Sequence, residues 1–567
     1  MKRMFLIAVV VFAAVLTASA QVTFTSARDY PLNAAPYATA IGDLNGDGKP
    51  DLAALSVLGG TVSILLNNGD GTFSSATDFP AIAPDQTQPF SGIALSDLNG
   101  DSKLDVIVYQ SGAINVLLGN GDGTLQKPAT TILDVYARSF LGAGDFNGDG
   151  KADVAIIGAD IGALAPILFL GNGDGTFVRG SDSTSDAGEN MGVIADVNHD
   201  GKLDIVTSHG GVTDVSLLSV YLGNGNGTLH NPTTNSSDFP YMSSLLSGDF
   251  NHDGVPDLVS THYQSYYCEF FVCRPVGAPG SVAMMLGNKN GTFAGGPIAN
   301  ADFASSSVGD FDGDGNLDIA ATEITTRSGL GTSGMVDFYL GNGRDWAFDG
   351  PTKIAFGNDR YYSFASNNAG ASADLNGDGL ADIVLVSSSL QVALNTTPTF
   401  SLTASAPPPP IHAGSTATYT IGMSPTNGFS NAITLTCAVP SSAGIHCSIS
   451  PSSLSHGGSS TLTVTTTAGS VALMHRRIHS HSDLLYALWL PFGAVTFGGI
   501  GIGSTQRRKK FAIAILMSMV GAGLIFQLAC GGASPPTGGT PAGTYTVTVQ
   551  GKSGSMQRSA SVQLTVQ

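Results

Sequence analysis

Basic residues are scarce in this chain. Among 567 residues, 24 Lys and Arg stand against 43 Asp and Glu, a formal net charge of −19. Residues 21–397 hold no basic patch that could neutralise phosphates, which excludes nucleic acid as a partner. Catalytic signatures are missing too: no Gly-x-Ser-x-Gly elbow, phosphate-cradling loop or dinucleotide fingerprint stands in a suitable context. The 11 histidines include no pair at zinc-ligand spacing backed by a third ligand. His475, His479 and His481 read as a solvated flank, with a small metal site as the alternative. Trp346 and the pair Tyr361 and Tyr362 read as packing or edge residues, with a sugar platform as the alternative.

Cysteine is equally sparse, at five residues. In an exported chain Cys268 with Cys273 and Cys437 with Cys447 are disulfide candidates, the alternative being two pairs of free thiols; Cys530 is left over. Export is the expectation from the N-terminus. Lys2 and Arg3 precede the apolar run Phe5–Leu16, and Ala18, Ser19 and Ala20 fit a small-residue cleavage site, so 1–20 reads as a signal peptide. About twelve apolar residues are too few for the competing reading, a membrane anchor.

Against these absences stands one phrase written seven times between residues 43 and 382. Each copy places an oxygen-bearing side chain at positions 1, 3, 5 and 9 of a nine-residue loop: Asp43, Asn45, Asp47 and Asp51; Asp97, Asn99, Asp101 and Asp105; Asp145, Asn147, Asp149 and Asp153. The next four are Asp196, Asn198, Asp200 and Asp204; Asp249, Asn251, Asp253 and Asp257; Asp310, Asp312, Asp314 and Asp318; and Asp374, Asn376, Asp378 and Asp382. A hard cation such as Ca2+ takes six to eight oxygens, and alternate side chains of a tight loop converge to supply them. Gly at position 6 permits the turn that offers the residue-7 carbonyl as a further ligand. The second loop has Ser102 there, so its site is expected to be the weakest. His199 and His252, at position 4, read as solvent-facing turn residues. Some 22 of the 43 acids sit in these loops, and seven Ca2+ would bring the formal charge to about −5. The acidity is therefore metal-site chemistry rather than a polyanionic surface.

Positions 2 and 10 are always apolar, from Leu44 and Leu52 to Leu375 and Ile383, which staples each loop between buried strands. The first Asp recurs at intervals of 54, 48, 51, 53, 61 and 64 residues. A second phrase with an Asn-Gly-type turn follows each of the first five loops, as in Leu65–Phe73 and Leu117–Leu125, and a sixth degenerates after Gly343. A period near fifty with such hairpin signals predicts an all-β, seven-bladed β-propeller with four-stranded blades. Residues 22–30 are similar to Phe73–Phe79, and the seventh unit stops at Leu390–Asn395, so the N-terminal strand is expected to complete the last blade.

These loops and turns, over 21–397, resemble the FG-GAP or VCBS-type repeats of integrin α-chain heads and many bacterial surface proteins. The resemblance implies a calcium-binding propeller at a cell surface; the same scaffold serves adhesion modules, fungal lectins and accessory domains of enzymes. The function read from the chain is binding or adhesion toward an extracellular protein or glycan, and the missing catalytic signatures make no catalysis the expectation. The alternatives are a lectin-like or carbohydrate-active protein, or a structural spacer.

The composition changes at Pro398, and alternating strands such as Ala417–Ile421, Ala432–Cys437 and Ser460–Thr465 predict a small β-sandwich over 398–470. Cys437, the phrase Cys447–Pro451 and the phrase Gly539–Val549 are similar to a bacterial immunoglobulin-like domain. The closing strands, in 535–567, arrive only after a hydrophobic insertion at 471–534. It holds two apolar segments, 484–503 and 511–530, flanking the basic run Arg507–Lys510. A helical transmembrane hairpin with the basic turn inside, a lipobox-like signal ending at Cys530, and a non-inserted segment all remain open; the first makes 484–530 a membrane attachment.

Overall fold

The computed structural model describes residues 22–468 and 539–567, apart from 82–90, 111, 160–163, 184–188, 211–215, 240–241, 263–264, 270–271, 277–279, 325–331, 345–347, 357–371, 441–443 and 555. The signal segment, Trp346, Tyr361 and Tyr362, the 475–481 histidines, the apolar segments 484–503 and 511–530, and Cys530 therefore lie outside the described residues. Among the described residues no helix is long and apolar enough to cross a membrane.

Between Arg28 and Ala393 the described strands form seven four-stranded antiparallel sheets. The first sheet runs Ala38–Gly42, Asp51–Ser56, Thr61–Leu65 and Thr77–Pro80 in spatial order, and the loop 43–51 joins its first two strands. The strand after the loop is buried on both faces, as in Asp51–Ser56 and Asp105–Gln110, which is why it reads as an unbroken apolar run. The fourth strand is half-exposed, and Ala129–Ile132 and Phe348–Ala355 alternate accordingly. The first strand of each sheet packs on that of the next, and Ala40, Ala94, Ala143, Ile194, Leu246 and Val308 line a central channel of about 440 Å³. Small and branched residues belong there because several strands approach one axis. The arrangement is consistent with a propeller.

The two ends of the array meet. Arg28–Tyr30 adds to Leu390–Ala393 with Arg28 opposite Val392 and Tyr30 opposite Leu390, completing the last sheet. Leu52, Leu65 and Phe73 of the first sheet share one apolar core with Leu385, Leu390 and Val392 of the last. Asn67 Nδ2 donates to the Leu375 carbonyl at 2.8 Å across the same junction.

The fifth sheet carries a two-stranded hairpin, Ser265–Glu269 with Val272–Val276, whose backbone register sets Cys268 opposite Cys273. Beyond residue 398 two further four-stranded sheets pack around Phe400, Tyr419, Leu435, Leu462, Val549 and Leu564. Gly543–Ser553 and Met556–Val566, from beyond the insertion, pair with each other, and the former pairs with Ile433–Ala438 (Thr434 opposite Lys552). The separated closing strands thus complete a sheet that the first part leaves open. Cys437 and Cys447 form a disulfide between Ile433–Ala438 and Ile445–Ser450.

Candidate metal centres

Each loop is built around the carboxylate of its first Asp. Asp43 Oδ1 accepts from the backbone N–H groups of Gly46 (2.7 Å) and Asp47 (3.1 Å), and its Oδ2 accepts from that of Gly48 (2.8 Å). The Asn45 and Asp47 side chains accept in turn from the N–H groups two residues on, at 2.9 and 3.0 Å. An Asx-turn chain of this kind winds the backbone so that side chains 1, 3 and 5 share one mouth. In the sixth loop Asp310, Asp312 and Asp314 each offer a carboxylate oxygen, and these lie within 4.8 Å of one another. In the other six loops position 3 is Asn, which contributes an amide oxygen instead of a charge.

The winding requires left-handed backbone twice. Position 6 has φ +81° at Gly48 and +63° at Ser102, so Ser102 holds the conformation that the other loops give to glycine. Position 4 is left-handed as well: Gly46 at +74°, His199 at +58° and His252 at +59°. The two histidines are exposed, and they occupy a strained position that their solvent-facing reading did not reveal.

Position 9 behaves differently from positions 1, 3 and 5. Asp51 is fully buried; its Oδ2 accepts from Leu44 N–H at 2.9 Å and its Oδ1 from Asn67 N–H at 2.8 Å. Asp105, Asp153, Asp204, Asp257, Asp318 and Asp382 repeat the arrangement, each clamping the N–H of loop position 2 and one N–H just after the third strand of the sheet or at its end, from Gly119 for Asp105 to Asn395 for Asp382. Where that second donor is Gly, as at Gly119, an added Cβ would run into the Leu104 carbonyl. Asp318 Oδ2 accepts from Asp312 N–H as well, at 3.3 Å. Burial pushes the carboxyls of Asp51, Asp105, Asp153 and Asp257 upward, that of Asp204 to about 6 and that of Asp382 to about 7, while the two N–H donors pull each back. In the sixth loop burial, then Asp314 and Asp310, push Asp312 up to about 7.

The residues present fit a hard divalent cation: every side-chain donor is oxygen, several are anionic, and the first Asp keeps a lone pair on Oδ2 in six of the seven loops. Asp43, Asn45, Asp47 and their counterparts at 97–101, 145–149, 196–200, 249–253, 310–314 and 374–378 would hold it, with the position-9 carboxylates behind them.

Two sets of side chains partner the loops beyond their own oxygen donors. Lys49, Lys103, Lys151 and Lys202, at position 7 of the first four loops, pair with the position-5 Asp at 3.1, 3.7, 3.9 and 3.4 Å. The C-terminal sandwich reaches the last two: Arg558 Nη1 donates to Asp310 Oδ2 (3.0 Å), Arg558 Nη2 to the Gly379 carbonyl (3.1 Å), and Asn427 Nδ2 to Asp378 Oδ2 (2.9 Å).

A family model described as FG-GAP-like repeat matches residues 43–108, 97–156, 145–207 and 196–260. The chain thus carries four FG-GAP-like repeats, each running from one loop to just past the next. No curated protein matches it. Among solved structures, one described as the basis of specific recognition of non-reducing terminal N-acetylglucosamine by an Agrocybe aegerita lectin is similar to it at 19% identity, with a TM-score of 0.40, over 57% of this chain and 81% of that one.

Proposed function

We propose that residues 21–397 form a seven-bladed propeller that holds up to seven Ca2+ ions, and that the exported protein uses it for cell-surface binding or adhesion, without catalysis. Its partner is an extracellular protein or glycan, and 484–530 attaches it to the membrane of the envelope. The observation that carries this reading is the loop itself. One amide-wrapped carboxylate, two neighbouring side-chain oxygens and a buried position-9 clamp recur in all seven copies. Bound calcium supplies charge neutralisation. The protein's own part is to hold the carboxylates together at the mouth and to fix the loop to its strands through positions 2, 9 and 10. A rigid ring of this kind presents loops and outer strands to a partner, and its sites serve stability rather than turnover.

Calorimetric titration of the full chain with Ca2+ is expected to give several sites per molecule, alongside a rise in melting temperature. No uptake at millimolar Ca2+ would remove the calcium part of the reading. A pull-down of envelope proteins and a glycan array on the loaded protein then separate the two partner classes. Release of oligosaccharides from a bound glycan would replace the binding role by an enzymatic one.

A further inference from the structure

The sixth loop differs from the others in three respects. It has a fourth carboxylate, Asp312, where the rest have Asn; it has Asn316 at position 7, where the first four have Lys and the fifth and seventh have Val255 and Leu380; and a cation from the sandwich enters it. Arg558 lies on the strand Met556–Val566 and crosses to the loop with its side chain mostly covered. Asp310 Oδ2 accepts from Gly315 N–H at 3.0 Å and from Arg558 Nη1 at 3.0 Å. Among the described residues, Oδ2 of the first Asp in the other six loops accepts only the N–H of residue 6. Arg558 therefore takes the lone pair that the other loops leave open to a cation. Beside it, Arg558 Nη2 and Asn427 hold the neighbouring seventh loop through the Gly379 carbonyl and Asp378.

We propose that the face made by the sixth and seventh loops is the docking surface of this chain's own C-terminal sandwich, that Arg558 is its ionic key, and that Ca2+ in the sixth loop and the docked Arg558 oppose each other. The guanidinium and a divalent cation compete for Asp310 Oδ2, and their like charges repel at close range. Opposition of this kind is reciprocal: the factor by which docking weakens calcium binding is the factor by which calcium loosens the dock. The sandwich is then a cap that responds to external calcium, while the first four loops load independently of it. This coupling rests on the calcium reading given above, and the experiment separates the two.

Hydrogen–deuterium exchange of the full chain is followed during a Ca2+ titration, in the wild type, Arg558→Gln and Asn427→Ala. In the wild type, calcium should protect 310–318 while exposing 424–430 and 556–560 to faster exchange. Arg558→Gln should lower the half-saturating Ca2+ of the sixth loop roughly tenfold, leave the first four loops unchanged, and show fast exchange at 424–430 before any calcium is added. Asn427→Ala, which weakens the dock without touching the sixth loop, should lower its half-saturation in the same direction but by less than Arg558→Gln does. If 310–318 saturates at the same concentration with and without Arg558, or if 556–560 does not respond to calcium, the coupling is wrong. If the first four loops also fail to respond, the calcium reading falls with it.

Discussion

The first four loops and the last two solve the same electrostatic problem by different means. In loops one to four the position-5 Asp has a Lys two residues away, paired at 3.1 to 3.9 Å, so each unit carries its own counter-charge. Loops five to seven have Val255, Asn316 and Leu380 at that position. The sixth and seventh draw their positive partner and an amide donor from the sandwich instead, across 248 residues for Arg558 and Asp310 and 49 for Asn427 and Asp378. The matched FG-GAP-like repeats end at residue 260, and the later intervals lengthen to 61 and 64. A repeat that balances its own charge is interchangeable with its neighbours. One whose charge is balanced by another domain has become specific to its place.

The comparison can be strained most by removing metal. Chelation of the loaded full chain should lower its melting temperature by many degrees, since each site that binds only the folded state contributes on the order of 1–3 kcal/mol at tens to hundreds of Kd. In Arg558→Gln the loss should be larger still at the sixth loop, because four carboxylates then face one another with no cation. An unchanged melting curve would show that the loops are held without metal.

Position nine should erase the difference between the two groups. Asp153→Ala and Asp382→Ala each strand two backbone N–H groups, Phe146 with Gly171 and Leu375 with Asn395. Each is expected to cost about 2–4 kcal/mol in denaturant unfolding, alike in both groups. A silent Asp153→Ala would mean that the clamp contributes nothing.

A smaller effect is expected at the left-handed positions. Ser102→Gly, His199→Gly and His252→Gly each relieve a non-glycine residue at φ near +60° and should stabilise by roughly 1 kcal/mol. Ser102→Gly should also tighten calcium at the second loop, which calorimetry of that variant checks. The smallest effect belongs to the lysines. Lys151→Met removes an ion pair with both side chains about 40% exposed, and a change within about 0.5 kcal/mol that vanishes at high salt is expected. A larger loss there would mean that the local counter-charge matters more than its exposure suggests.

Much of this architecture is legible in the order of the amino acids. Apolar residues at positions 2 and 10 predict that each loop joins two buried strands, and all fourteen are buried. The likeness of residues 22–30 to Phe73–Phe79 predicts the strand exchange that completes the last sheet. The closing strands beyond the insertion are legible from their period-two alternation. Other features are not. A carboxylate is an acceptor for a cation and for an N–H alike, so spacing alone does not reveal that the position-9 Asp spends an oxygen on each of two amides. The left-handed turn at His199 and His252 is masked because the residue type gives no warning of φ. Arg558 stands in an alternating strand with nothing nearby in sequence to name Asp310 as its partner.

The strand Arg28–Tyr30 has a consequence for how the molecule comes into being. It leaves the ribosome, and any export channel, before every other described strand, yet its partner Leu390–Ala393 follows some 360 residues later. Until then the last sheet does not exist and the earliest strand has no place to settle. Neighbouring sheets can assemble as they emerge, but the ring as a whole waits for its oldest segment to be met by one of its youngest. Contacts of such long sequence separation are slow to form. A chain cut short anywhere before residue 390 would therefore lack not one sheet but the closure that holds all of them in a circle.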